Sequence, residues 1–319
     1  MADDHTLRDV TGTVALDDAD AVADAVDRIL ARSYGSVPFD RDLLHASFAF
    51  AGRLYRGDEP GWLPCDMPYH DLRHALDAAL VMARLVDGCR RDGGEPVLGP
   101  DTALAAVMLA LLHDTGFLRT TSEASLCGPQ LAQGHEYRSA AFAGDYLRST
   151  SMSRHADLAP LIMATRMSIA PATALEGRDG AAITIGRMLG SADLVCQLAD
   201  PRYLERCYHH LYPELVLGAG DASRRFVVED AREMLARTPG FLRDVALPRL
   251  REGFGFVARH LAAHFGGSDP YAASTRDNLA RCERIVAERR FDLLGGPPPT
   301  TTRDLDPIYA AGEAARATD

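Results

Sequence analysis

Lysine is absent from this 319-residue chain, and all 34 basic residues are arginine. That absence excludes a P-loop lysine on a β/γ-phosphate, a Schiff-base lysine and a pyridoxal-phosphate anchor. Basic blocks are lacking too. With 45 acidic residues the net charge is −11, which argues against nucleic-acid polymers and anionic membranes as partners, because both need clustered positive charge. No C-x-x-C pair occurs among Cys65, Cys89, Cys127, Cys196, Cys207 and Cys282. Several of these sit in helix-like apolar contexts, as expected of reduced, packed thiols in a cytoplasmic protein. The longest uninterrupted apolar run is Ala103–Leu112, well short of the ~20 residues that cross a bilayer. The start, Met1-Ala2-Asp3-Asp4-His5, is acidic with no apolar stretch behind it and does not read as a signal peptide.

What is present reads as helix. The hydrophobic share of 47% is ordinary for a globular chain. Apolar residues recur at three- and four-residue spacing over Asp20–Ala31 and Asp40–Tyr55. A breaker-rich loop from Arg56 to Pro64 follows, then a helix expected from Pro68 to about Val86. Asp101 is placed to cap a helix ending near Asp114, with Gly116 to stop it. Further helices are expected at His135–Leu147, Ala156–Ser168, Ala182–Ala199, Pro201–Leu211, Ala222–Arg237, Phe241–His264 and Tyr271–Arg290. The best strand candidate, Ala181–Ile185, fits better as a helix start. The expected fold is all-α: N-terminal helices (1–60) packing on a core (61–215), C-terminal helices (216–292) and a loosely attached, proline-rich tail (293–319).

Three elements carry candidate chemistry. In Pro68-Tyr69-His70-Asp71-Leu72-Arg73-His74, His70 and His74 would lie one helical turn apart on one face. Such a pair can chelate one metal, or one can bind while the other works as acid or base; both can equally be structural. The apolar helix Ala103–Leu112 ends in His113-Asp114-Thr115-Gly116. A helix C-terminus favours a protonated histidine but disfavours an aspartate, so Asp114 calls for a cation, and its two oxygens could bridge two. Asp193 falls in the apolar stripe of Leu189, Ala192 and Cys196, where a carboxylate needs a cation or an arginine as partner.

In this order the three elements resemble the HD superfamily of metal-dependent phosphohydrolases, whose pattern H…HD…D is matched by His74, His113, Asp114 and Asp193 over about Met67–Pro213. Tyr69-His70-x-x-x-His74-Ala75-x-Asp77 looks like the motif of the cyclic-nucleotide phosphodiesterase branch. The resemblance implies an HD-type helical bundle in which His74, His113, Asp114 and Asp193 hold a divalent ion. It makes His70 the general acid to the leaving oxygen, while Asp114 takes part in catalysis by bridging to a second ion. That branch has a further histidine shortly after its H-D pair, and Phe117–Thr121 offers none. His135 is the candidate for the second ion, with Glu136 beside it as an acceptor or a helix-end charge. Mixed imidazole and carboxylate ligands do not choose between Mn, Fe, Zn, Mg, Ni and Co. Arg73, Arg119 and Arg166 are candidates to grip a phosphate oxygen.

The substrate implied is a small phosphoester, a nucleotide or a 3′,5′-cyclic nucleotide among them. One alternative is the superfamily's dinuclear iron oxygenases, but Leu161–Met167 lacks their extra histidines, and His155 stands just ahead of it. Another is a metal- or nucleotide-binding sensor, for which a general acid such as His70 has no use. The G-Y-P motif of the superfamily's signalling branch is missing. His209, His210, His260 and His264 read as structural. The helices from Ala222 to Arg290 either cover the site or form a homodimer contact.

Overall fold

The structure is a computed structural model that describes residues 7–94, 96–218 and 228–302. It is all-α, and among the described residues the extended pairing is confined to isolated bridges, Arg8 with Ala15 and Trp62 with Thr120. Helix α1 (Ala19–Tyr34) is capped by Asp18, and α2 (Arg41–Arg56) by Asp40. The hub is α3 (Leu72–Arg91), buried from Leu72 to Cys89 and packed against α1 and the helices Pro100–Leu112 and Gly180–Ala199. Helix α4 (Pro100–Leu112) is buried from Ala103 onward, with Pro100 in its first turn and Gly99 at the cap; Asp101 instead pairs with Arg154. Next come α5 (His135–Arg148), α6 (Gly180–Ala199, capped by Asp179), α7 (residues 203–218), α8 (residues 231–253) and α9 (Pro270–Glu288).

A hub helix buried on all sides must pair its polar side chains. Arg84 donates to buried Asp9 at 2.7 Å and also bonds the Tyr271 hydroxyl. Asp87 accepts from Ser33 (2.5 Å), Arg32 (3.1 Å), Arg91 (2.7 Å) and His264 (2.6 Å). His264 ties the short helix His260–His264 to α3 in this way, and His260 bonds Asp92. Both histidines are therefore structural, as the sequence suggests. The six cysteines are free thiols. No helix of the described residues is long and apolar enough to cross a membrane.

Several expectations are corrected. Helix α3 starts at Leu72 rather than near Pro68, because Asp71 adopts extended backbone and its side chain caps the His74 N–H; His70 therefore lies outside the helix. The segment expected as a helix over Ala156–Ser168 is a 3₁₀ helix, Ser153–Thr165, with Pro160 inside it. The helix expected over Phe241–His264 breaks after Gly253, with Phe256 in left-handed backbone. Helices α7 and α8 contain π-helical stretches at Cys207–Leu211, Leu242–Ala246 and Arg249–Gly253. Of the helix expected over Ala222–Arg237, residues 222–227 lie outside the described residues, and helix begins at Ala231.

The tail expected to be loose is tied down over its described part. The Thr300 hydroxyl, the Thr301 amide and the Thr301 hydroxyl all donate to Asp71 Oδ2 at 2.8, 2.8 and 2.9 Å. Thr302 donates to Met67 O, Arg202 to Gly296 O, and His210 Nε2 to Pro298 O. Residues 295–302 thus form a strap across the start of α3; residues 303–319 lie outside the described residues.

Candidate metal centre

Four side chains from three helices converge. His74 comes from the first turn of α3, His113 and Asp114 from the end of α4, and Asp193 from the middle of α6. His74 Nε2 lies 3.2 Å from His113 Nε2, 3.3 Å from Asp114 Oδ2 and 3.2 Å from Asp193 Oδ1. His113 Nε2 lies 3.3 Å from Asp114 Oδ2 and 3.6 Å from Asp193 Oδ1. His74, His113 and Asp114 form a buried trio able to hold a metal ion. Three donor atoms at this spacing are circumscribed at about 1.9 Å, close to the ~2.0–2.2 Å that imidazole and carboxylate ligands take to a divalent ion.

The surroundings orient these donors. His113 Nδ1 lies 2.7 Å from Ala110 O, so its proton belongs on Nδ1 and Nε2 is left as the ligand atom. Gln197 Nε2 donates to Asp193 Oδ1 at 2.6 Å, and Gln197 accepts from the Tyr69 hydroxyl at 3.0 Å. His74 Nδ1 contacts Cys196 Sγ at 3.5 Å; burial pushes that thiol up to about 12, against the effect of His74, so it stays protonated. Burial opposes charge on His113, but Asp114 and Asp193 outweigh it and raise its pKa to about 10. Burial would likewise raise Asp114 and Asp193, yet the facing imidazoles hold both below the ordinary carboxylate range. Among the described residues buried Asp114 Oδ2 has no hydrogen-bond partner, and a carboxylate oxygen so placed calls for a cation. The donor set fits a divalent ion.

Asp114 faces two ways. Its Oδ1 lies 3.6 Å from His135 Nε2, and His135 Nδ1 bonds Ala132 O at 2.9 Å, again leaving Nε2 free to ligate. Helix α5 comes this close because residue 116 is glycine: a Cβ there would meet the His135 carbonyl oxygen at 2.0 Å. Glu136 is buried beside His135, and among the described residues its Oε2 has no hydrogen-bond partner.

His70 stands outside α3, yet its ring lies only 5.7 Å from that of His74. Glu214, from α7, positions it: Oε2 lies 2.6 Å from His70 Nδ1, while Oε1 accepts the amides of Tyr69 (2.6 Å) and His70 (3.2 Å). Burial lowers the His70 pKa, but Glu214 and then Asp114 outweigh it and raise it. Phe117 stacks on His70 at 4.9 Å and on His135 at 3.9 Å, which fixes both rings. Sequence reading missed Glu214. It lies 144 residues from His70, and the only signal was a carboxylate following Tyr212-Pro213 in apolar company.

His70, Asp114, His135 and Asp193 share a cavity of about 240 Å³ whose far wall includes Leu211 and Phe241. None of the three arginines expected to grip phosphate lines it. Arg73 is buried and paired with Asp200 at 2.9 Å, and Arg119 is held by Asp66 (3.0 Å) and Leu126 O (2.7 Å). Arg166 lies 3.5 Å from Glu136, so it reaches the cavity only through a residue of its wall. Close pairing has used the first two for structure. His155 contacts Arg154 at 3.3 Å, and His209 bonds Gly295 O at 3.0 Å. No protein-family model and no curated protein matches the chain.

Proposed function

We propose that this chain is a metal-dependent phosphohydrolase of the HD type, hydrolysing a phosphoester, with nucleotides and 3′,5′-cyclic nucleotides as the first substrates to test. One observation carries the reading: a carboxylate-backed imidazole, His70 on Glu214, lines the same cavity as the metal-ligand cluster. A structural metal site or a sensor needs no acid at that place.

A divalent ion held by His74, His113, Asp114 and Asp193 supplies Lewis-acid activation of a phosphoryl oxygen and of water. Asp114 Oδ1 and His135 are the residues for a second ion. His70 Nδ1 is taken by Glu214, so the proton His70 gives to a departing alkoxide leaves from Nε2. The neutral ring that remains keeps Nδ1–H on the carboxylate. Leu194, Leu198 and Leu211 give the cavity an apolar wall beside these groups. Among the described residues no arginine lines the cavity, so its positive charge would come from protonated His70 and from metal held by the ligand cluster.

Metal analysis of the purified protein, followed by a panel of cyclic and linear nucleotides with Mn or Mg, tests the reading. His70→Ala is expected to abolish hydrolysis of a cyclic nucleotide while metal is retained, and His113→Ala to lose both. Hydrolysis that survives complete removal of metal would refute it.

A further inference from the structure

A separate cavity of about 270 Å³ is walled by α6, the end of α8, the segment that follows it, the His260–His264 helix and α9, and shares no lining residue with the metal-site cavity. Its interior is apolar: Val195, Leu250, Leu261 and Leu279 line it, and small side chains at Ala258 and Ala272 leave the space open. Phe256 borders the space without filling it. It is 49% exposed and sits at φ 55, backbone that a bulky residue seldom adopts.

Arg251, Arg259 and Arg276 also line this cavity, and all three are exposed, so they stand at its opening. Among the described residues none of them forms an ion pair; Arg259 bonds only the carbonyls of Gly255 and Phe256. The one carboxylate present, Asp269, is engaged through Oδ1 with the Ala272 amide as the cap of α9. In a chain of net charge −11, three such arginines around an apolar hollow select for a particular ligand chemistry. Besides Asp269, the polar lining is Thr275 and Tyr271, whose hydroxyl is bonded to Arg84; most hydroxyls of a sugar or edges of a base would go unpaired there, which is unfavourable. The interior suits a hydrocarbon tail, and guanidinium suits a carboxylate head.

We propose that this cavity binds a single-chain amphiphilic anion, an alkyl or arylalkyl carboxylate of about eight to ten carbons. The tail lies against Leu250, Leu261 and Leu279, and the head meets the arginines. Val195 is two residues from Asp193, so the ligand rests against the helix that carries a metal ligand. The site does not depend on the chain being a hydrolase.

Isothermal titration of the metal-free, full-length chain with hexanoate, octanoate, decanoate and 1-octanol tests the proposal. One site per chain is expected, with affinity rising about fourfold per methylene and octanol binding at least tenfold more weakly than octanoate. The double substitution Arg251→Ser and Arg276→Ser should weaken octanoate tenfold or more and leave octanol unchanged. Ala272→Phe, which fills the cavity, should remove both, with thermal melting reporting that the fold persists. His113→Ala should bind octanoate as the wild type does, which separates this cavity from the metal cluster. Absence of saturable octanoate binding, octanol binding as tightly as octanoate, or octanoate affinity indifferent to the arginine substitutions would overturn the proposal.

Discussion

Glu214→Gln isolates the charge that stands behind His70. Glutamine keeps a carbonyl oxygen for the Tyr69 and His70 amides, which Glu214 Oε1 accepts at 2.6 and 3.2 Å, but removes the carboxylate 2.6 Å from His70 Nδ1. A hydrogen bond to a charged group contributes about 1.5–3 kcal/mol, which corresponds to about one to two pH units on the imidazole. In the proposed mechanism protonated His70 is the acid, and Glu214 raises its pKa against the effect of burial. The acid form is therefore present below the folded pKa and lost above it, and the substitution should move the alkaline limb of the rate profile to lower pH. Loss of acid assistance lowers the rate about 10²–10⁴-fold for an alkoxide leaving group. It should matter little for p-nitrophenolate, a stable anion that departs without a proton. The assay is kcat/KM against pH for a cyclic nucleotide and for bis(p-nitrophenyl) phosphate, with metal content measured on the same samples. Equal losses on both esters, or an alkaline limb that stays in place, would refute a role for Glu214 through His70.

Three further outcomes are expected. Mn at a hundredfold over its Kd stabilises the protein by about 2.7 kcal/mol; at about 2.1 cal/mol/K per residue over 319 residues this raises Tm by about 4 °C. Scanning fluorimetry with and without chelator measures the shift, which Asp193→Asn should reduce. Burial, aided by Arg206 and opposed by Pro298 O, Asp71 and Glu214, lowers the His210 pKa to about 4. The unfolded chain then takes up that proton first, so stability present above about pH 6.5 is lost as pH falls toward 4. Urea unfolding should show about 2 kcal/mol less stability at pH 5 than at pH 7 from this residue, and His210→Gln should flatten that slope. Gly116→Ala drives a Cβ to 2.0 Å from the His135 carbonyl; a loss of about 1–3 kcal/mol and weaker metal retention are expected by melting and metal analysis, and an unchanged Tm would count against the close approach.

Which features the sequence revealed depends on how local their causes are. The candidate ligands His74, His113, Asp114 and Asp193 stand out because each interrupts an apolar helical pattern, and the structure brings them together. His70 was recognised as chemistry but put on the wrong element. A helical count from Pro68 ignores that Asp71 caps more strongly than Pro68 starts. Glu214 and the three tail threonines act across more than a hundred residues, and hydrophobic period carries no trace of that. Periodicity likewise registers that α7 and α8 are helical but not that they widen into π turns. In sequence a guanidinium looks the same whether it faces a ligand or, like Arg73 on Asp200 and Arg119 on Asp66, a carboxylate of the fold.

The strap of residues 295–302 bears on the order of events during synthesis. Thr302 meets Met67 across 235 positions, and Thr300 meets Asp71 across 229. A ribosome that has just made His70 must still add most of the polypeptide before the loop around it has all its tethers. Asp193, the last of the four clustered ligands, is translated more than a hundred residues before Thr300. The four candidate ligands are therefore all translated, and free to cluster, before the loop that carries His70 has its last tethers.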